Sequence, residues 1–335
     1  MHYYKNNNLN NFNILRSIAV LLVVLSHIPI INFPEIYAKY SIGLIGVFIF
    51  FVHTSFVLML SLKRIIIRNN FIYTILTFYI QRIFRIYPLS IFSVIIFFSV
   101  YFIETDSFNL PQFIYNIFLI QNLTQDNSLP EILWSLPYEV QMYILLPLIF
   151  FYTKYKDPKK KIIFLWILLI IFLLLLKYYK FQYLYDIFHF FPIFFSGVYG
   201  YACYKKNNTK ISHGYLFLYV FLIIIIYPAL VKAKLSENLL GVIFFSPLGW
   251  LIAKSKDSNI NFINIICKKI ANYSYSIYLF HLLFINIFFK YLNIPMHIFF
   301  KLLLFFLTML VFSHIAYNFF EKPLIKIGKK ISNSV

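Results

Sequence analysis

The stretch that decides the fold is FNILRSIAVLLVVLSHIPII, residues 12–31, an apolar run that contains one arginine and one histidine. A run of about 20 apolar residues is long enough to cross a bilayer as a helix. Arg16 and His27 are eleven residues apart, which is three helical turns plus about 20°, so both side chains project from one face. About 16 Å separates them along the helix axis. Ionisable groups inside a membrane span are costly, and they indicate a functional site.

The composition of the whole chain indicates a membrane protein. Of its 335 residues, 61% are hydrophobic and 12% are charged, and the mean hydropathy is +0.78. A soluble domain carries about 25% charged residues. We therefore expect an all-α polytopic membrane protein in which residues 1–335 form a single membrane-embedded domain, with its core at about 9–324.

Apolar runs of nearly the length of a bilayer crossing predict about ten transmembrane helices. Their ranges are about 13–31, 41–62, 78–103, 131–153, 162–178, 184–203, 214–231, 237–253, 273–291 and 297–319. The segment 111–121 is too short to span, and we interpret it as re-entrant or interfacial.

The net charge of +19 could indicate nucleic-acid binding, but the positions of the basic residues favour a membrane origin. With the N-terminus inside, 23 of the 30 basic residues fall on the inner side of the predicted spans. The seven on the outer side are Lys39, Lys177, Lys180, Lys232, Lys234, Lys290 and Lys301. This asymmetry follows the positive-inside rule. It predicts that both termini are cytoplasmic, and it favours the lipid bilayer over nucleic acid as the partner of the basic residues.

The two cysteines give no sign of a metal site. Cys203 and Cys267 both fall near the predicted cytoplasmic side, where thiols stay reduced. Their spacing fits no metal-binding motif. We therefore expect neither a disulfide nor a zinc site, and no metal cofactor.

His27 is the first candidate for chemistry. Counted from residue 13, it lies about 21 Å above the inner edge, in the outer half of a core about 30 Å thick. A neutral imidazole at that depth can take a proton from a hydroxyl group and return it. The alternative is a structural histidine hydrogen-bonded at a helix contact. We give that interpretation to the other intramembrane histidines, His53, His281 and His314.

The arginine pair in QRIFRIYP, residues 81–88, is a second candidate. Arg82 and Arg85 are at i and i+3 and share a helix face. They begin the third predicted span at a height close to that of Arg16. Three guanidinium groups at one level form a good phosphate site, because the planar fork binds phosphate oxygens bidentately. The alternative, an ordinary positive-inside loop, is our interpretation of the basic residues that precede the pair.

The third candidate lies in LWSLPYEVQMYILLP, residues 133–147. Helix counting places Glu139 within about 3 Å of the depth of His27, and a buried carboxylate needs a partner or a proton. Ser135 and Tyr143 share its helix face at i, i+4 spacing. Glu139 could orient the imidazole of His27 or hold an acceptor hydroxyl, or it could only tie its helix to a neighbour.

Two aromatic residues lie beside this carboxylate near the predicted outer mouth. Trp134 and Tyr138 are either anchors at the membrane interface or a platform for a sugar ring. We predict Trp134, Ser135 and Tyr138 as substrate-binding residues.

Five stretches together resemble acyltransferase family 3, membrane proteins that O-acylate sugars and other acceptors of the cell envelope. In chain order they are LNNFNILRSIAVLLVVLSH, GLIGVFIFFVHTSFVLMLSLKR, QRIFRIYP, LWSLPYEVQMYILLPL, and SYSIYLFHLLF followed by FEKP. The likeness spans about residues 9–324. The chain departs from the family's pattern at Val140, where many members carry a second acid. It also departs at Thr54 and Ser55, where many have Ser-Gly.

The resemblance implies a reaction. Cytoplasmic acyl-CoA would place its phosphates on Arg16, Arg82 and Arg85, and its extended arm would run along the first helix to His27. The acceptor hydroxyl would arrive from the outer side. His27 would act as general base or would carry the acyl group transiently, with Glu139 as the second catalytic residue.

We therefore expect an O-acyltransferase in the bacterial plasma (inner) membrane. It would move an acyl group, with acetyl favoured, from acyl-CoA to a carbohydrate acceptor in a surface or secreted polysaccharide. The alternative from another class is a membrane transporter or flippase for a glycan-lipid or a small anion, because intramembrane ions suit both. Release of CoA by the purified protein separates the two.

Overall fold

The computed structural model describes residues 10–29, 36–66, 70–204, 210–292 and 296–334, with side chains described from residue 41 onward in the second range. The protein is 86% helical, and these ranges contain no β-strand. The helices are α1 (Asn10–His27), α2 (Ile36–Ile66), α3 (Phe71–Thr105), α4 (Leu110–Phe118), α5 (Gln121–Thr124), α6 (Leu136–Thr153), α7 (Pro158–Tyr178), α8 (Gln182–Phe188), α9 (Phe191–Cys203), α10 (His213–Lys232), α11 (Glu237–Lys254), α12 (Asn261–Ile285), α13 (Ile298–Ile315) and α14 (Lys322–Ser334). A 3₁₀ helix, Glu131–Ser135, leads directly into α6.

Seven helical ranges in the described chain are long and apolar enough to cross a membrane. They are Asn10–His27, Ser41–Ile66, Phe71–Thr105, Glu131–Thr153, Pro158–Tyr178, His213–Lys232 and Ile298–Ser334. The other predicted spans, 184–203, 237–253 and 273–291, coincide with α8 and α9, α11 and α12, which are shorter or less apolar. The all-α polytopic prediction is confirmed, while the count of ten and the cytoplasmic position of both termini stay predictions. Of the basic residues in the charge count, Lys5, Arg68, Lys205 and Lys206 lie outside the described residues.

Prolines explain where two predicted spans differ from the structure. α1 ends at His27 rather than near residue 31, because Pro29 disfavours helical backbone in the residue before it. The predicted span 184–203 is interrupted between α8 and α9. Pro192 lies in the first turn of α9, where its missing N–H is tolerated, and a continuous helix would leave that hydrogen bond unmade.

α2 is the central helix of the bundle. Most residues of its span Ser41–Ile66 are buried inside the protein, whereas few residues of α7 are. α2 packs against α1, α6, α9 and α10, and Phe48 and Phe51 at its middle are fully buried. Because α2 meets little lipid, its polar residues face other helices. α2 therefore supplies one wall of any site between α1 and α6.

Glycines let the central helices approach closely. A Cβ atom at Gly46 of α2 would lie 2.5 Å from the carbonyl oxygen of Ala19 in α1. A Cβ atom at Gly43 would lie 2.6 Å from Oγ of Ser26. Small residues are the usual means by which membrane helices bring their backbones together. Gly43 and Gly46 therefore permit the close contact between α1 and α2.

The loop between α11 and α12 fixes the start of α1. The carboxylate of Asp257 accepts hydrogen bonds from the backbone N–H groups of Asn10 (3.0 Å) and Asn11 (2.9 Å). The Asn11 amide donates to the carbonyl oxygen of Lys256 (2.8 Å), and its oxygen accepts from the N–H of Ser258 (3.1 Å). These bonds satisfy N–H groups that a helix start leaves unpaired, and the carboxylate complements the helix dipole. α1 is thereby tied to the segment that enters α12.

α14 packs along the first half of α3. The hydroxyl groups of Tyr73 and Thr77 donate to the carbonyl oxygen of Ser332 (2.9 and 3.3 Å), and the amide of Gln81 donates to its Oγ (3.1 Å). These three donors are spaced by four residues and form one stripe of α3. The contact holds the turn of α3 that immediately precedes Arg82.

Candidate active site

A cavity of about 290 Å³ lies among α1, α2, α3, α6 and α12. Four charged residues line it: Arg16, Arg82, Arg85 and Glu139. The structure therefore brings the three predicted arginines together with the predicted glutamate, although they come from three different helices. Apolar side chains of α2 and α3 complete the wall.

The charges in this cavity are unbalanced. Nε of Arg16 donates to Oγ of Ser274 at 2.6 Å, while Nε of Arg82 is buried without a hydrogen-bond partner. In the part of the chain that the structure describes, none of the three arginines forms an ion pair. Among the lining residues one carboxylate faces three guanidinium groups. The buried carboxylate of Glu321 lies close enough to interact with Arg16 and Arg85, so the excess is at least one positive charge. Because unpaired buried charge is costly, the cavity is suited to an anionic group.

Glu139 lies in the first turn of α6 and lines the arginine cavity. The hydroxyl of Tyr143 donates to its Oε2 at 2.8 Å, across the i, i+4 spacing that the sequence predicted. α2 packs against both α1 and α6, so it joins the two helices that carry His27 and Glu139. The orientation of His27 by Glu139 stays a prediction.

His27 is the last residue of α1 and lies outside the lining of this cavity. Its Nδ1 is 2.8 Å from the carbonyl oxygen of Val23, 3.1 Å from Oγ of Ser26 and 3.4 Å from Nε2 of His281. Since a carbonyl oxygen can only accept, Nδ1 carries a proton. The neutral ring therefore has its lone pair on Nε2, the nitrogen that is able to act as a base.

One face of α12 connects His27 to the cavity. Nδ1 of His281 lies 2.7 Å from the carbonyl oxygen of Tyr278, and the Tyr278 hydroxyl is 2.8 Å from Oγ of Ser135. Tyr278 and Ser135 both line the cavity. The site therefore has two parts, the arginine cavity and the His27–His281 pair, and α1 and α12 carry both.

Trp134 and Tyr138 lie outside the lining of the arginine cavity. Their rings pack against Phe190, with centroids 5.4 and 5.0 Å from it. The Tyr138 hydroxyl donates to the carbonyl oxygen of Asp186 at 2.8 Å. Both aromatic residues thus join the start of α6 to the turn between α8 and α9. Ser135 does line the cavity, and the role of all three in substrate binding stays a prediction.

Sequence reasoning missed Ser274 and Tyr278 of α12 and gave His281 only a structural role. Ser274 contacts Arg16, Tyr278 contacts Ser135, and His281 contacts His27. These three residues recur at i, i+4 and i+7, which places them on one helix face. That periodicity of polar residues in an apolar span was the available signal. His53, interpreted as a packing or network residue, also lines the arginine cavity.

Comparison with known proteins agrees with this architecture. A family model described as an acyltransferase domain matches residues 9–317, a range that includes both parts of the site. The chain matches no curated protein and no solved structure. Because the family match covers nearly the whole chain, the chain belongs to acyltransferase family 3 and is a membrane acyltransferase.

Proposed function

We propose that this membrane acyltransferase is an O-acyltransferase of the bacterial inner membrane. It moves an acyl group, with acetyl favoured, from cytoplasmic acyl-CoA to a hydroxyl group of a surface or secreted polysaccharide on the outer side. The observation that carries the proposal is the excess of positive charge in the arginine cavity, where three guanidinium groups and one carboxylate form the charged lining.

The donor accounts for this excess. CoA carries a diphosphate and a 3′-phosphate, and a guanidinium group binds two phosphate oxygens at once. Arg16 precedes His27 on α1 by about 16 Å of helix. With the N-terminus in the cytoplasm, the arginines lie on the side of His27 that is nearer to the source of acyl-CoA. This orientation rests on the distribution of the basic residues.

The base of the reaction is Nε2 of His27. It accepts the proton of the acceptor hydroxyl while the hydroxyl oxygen attacks the thioester carbonyl carbon. The carbon–sulfur bond then breaks, and the proton passes from Nε2 to the departing thiolate. The products are an ester and free CoA, and His27 returns to its neutral form. Transient acylation of the same nitrogen is the second route.

The test compares two donors that share one thioester. S-acetyl-N-acetylcysteamine has the reactive end of acetyl-CoA but carries no phosphate. Purified protein in lipid vesicles is given either donor with a soluble N-acetylglucosamine oligosaccharide, and free thiol is measured. We expect a KM about 100-fold lower for acetyl-CoA, because each charge-assisted phosphate contact contributes about 1.5–3 kcal/mol and 1.4 kcal/mol is tenfold.

Two outcomes contradict the proposal. Equal KM values for the two donors would show that the arginine cavity does not bind the phosphates. Absence of thiol release from both donors, with an intact protein, would favour the alternative of a transporter or flippase.

A further inference from the structure

A pair of histidines joins the last turn of α1 to the C-terminal part of α12. Nδ1 of His27 lies 3.4 Å from Nε2 of His281. The ring centroids are 5.0 Å apart and the planes meet at 66°, so the two rings are arranged edge to face. His281 is fully buried, whereas His27 is half-buried. Reacting groups can therefore reach His27, whereas His281 lies behind it.

Hydrogen bonding to the backbone fixes the protons on both rings. Nδ1 of His281 faces the carbonyl oxygen of Tyr278 at 2.7 Å, so this nitrogen carries a proton. A second proton, on Nε2, would place a charged imidazolium in a fully buried position beside another ring, which is costly. Nε2 of His281 therefore carries a lone pair, which faces the N–H of His27.

We propose that His281 is a positioning residue for the acyl-transfer base. This inference rests on the proposed function, in which Nε2 of His27 takes the acceptor proton. By accepting from Nδ1 of His27, His281 keeps the neutral ring in the tautomer that has its lone pair on Nε2. It also receives part of the positive charge that forms on His27 during the reaction. Such a partner behind a functional histidine typically changes activity by about 10–100-fold.

The neighbours of His27 show why the partner has to come from α12. Val23 and Ser26 also accept from Nδ1, at 2.8 and 3.1 Å. Both belong to α1, so they hold the ring only relative to its own helix. His281 relates the ring to α12, whose Tyr278 and Ser274 line the arginine cavity. The contact therefore sets the position of the base relative to the cavity that binds the donor.

The experiment compares two substitutions of His281 that differ in one property. His281→Gln keeps an acceptor oxygen at a similar reach, and His281→Phe keeps the ring shape without an acceptor. His314→Phe is the matched control, because His314 is exposed and contacts Tyr273 rather than the site. We expect kcat for thiol release from acetyl-CoA to fall about 10–100-fold in His281→Phe. The Gln variant should recover most of this loss, and KM for acetyl-CoA should be unchanged in all three.

The readouts separate this inference from the proposed function. Wild-type kcat in His281→Phe, or an equal loss in the Phe and Gln variants, would overturn the positioning role, because an acceptor would then not matter. Wild-type kcat in His27→Ala, measured beside them, would instead overturn the assignment of His27 as base. Unchanged CoA affinity shows that each variant has kept its fold.

Discussion

The arginine cavity and the histidine pair differ in how their polar atoms are satisfied. Nε of Arg82 in the cavity is buried without a hydrogen-bond partner, whereas Nδ1 of His27 has three acceptors within 3.4 Å. A charged group without a partner is stabilised only when a ligand arrives. A ring whose N–H is already held is oriented before a substrate binds, which is the usual requirement for general base catalysis. In the proposed function, donor binding and chemistry are therefore separated along α1.

The largest expected effect is in the histidine pair. His27→Ala should lower kcat about 10²–10⁴-fold, because the proton acceptor is removed, and it should leave KM for acetyl-CoA unchanged. Thiol release by purified protein measures both constants. His314→Ala is the matched control. A His27→Ala protein with nearly wild-type kcat would show that the histidine pair does not carry the chemistry.

Glu139 sharpens the comparison because it shares the cavity with the arginines but carries the opposite charge. Glu139→Gln keeps the shape and the contact with Tyr143. We expect kcat to fall about 10²-fold, at the lower end of the range for acid–base groups. KM for acetyl-CoA should not rise, because the cavity becomes more positive. A higher KM with normal kcat would assign Glu139 to donor binding alone.

A smaller effect is expected when the arginines keep their charge. Arg82→Lys and Arg85→Lys lose the bidentate fork. Each should raise KM for acetyl-CoA about tenfold, which corresponds to the lower end of the range for one charge-assisted hydrogen bond, about 1.5 kcal/mol. Steady-state kinetics at several acetyl-CoA concentrations measures this change. Arg64→Lys is the matched control, because Arg64 is exposed and lies outside the cavity lining. If the control rises equally, the effect comes from general surface charge.

Sequence patterns predicted most of the helices, because a span in lipid must be long, apolar and hydrogen-bonded within itself. They also selected the residues that line the cavity from α1, α3 and α6, because charge in an apolar span is conspicuous. They missed the α12 face, whose serine and tyrosine residues are common in membrane spans and carry no charge. They also did not show that Trp134 and Tyr138 pack on Phe190, because packing partners depend on how distant helices meet.

The pairing of His27 with His281 depends on the same kind of long-range information. The two residues are far apart in sequence, and depth alone does not say which helices are neighbours. The capping of α1 by Asp257 and the close contact at Gly46 fix α1 against α12 and α2. Neither contact follows from the periodicity of a single span, because each depends on how separate helices pack together.

The separation of binding from chemistry is tested most directly by the affinity of the purified protein for CoA. Equilibrium titration should compare the wild type with His27→Ala and with a double variant, Arg82→Gln and Arg85→Gln. We expect His27→Ala to bind CoA as the wild type does, and the double variant to bind about 100-fold more weakly, a loss of about two charge-assisted contacts. Wild-type affinity in the double variant, or an equal loss in His27→Ala, would contradict this separation.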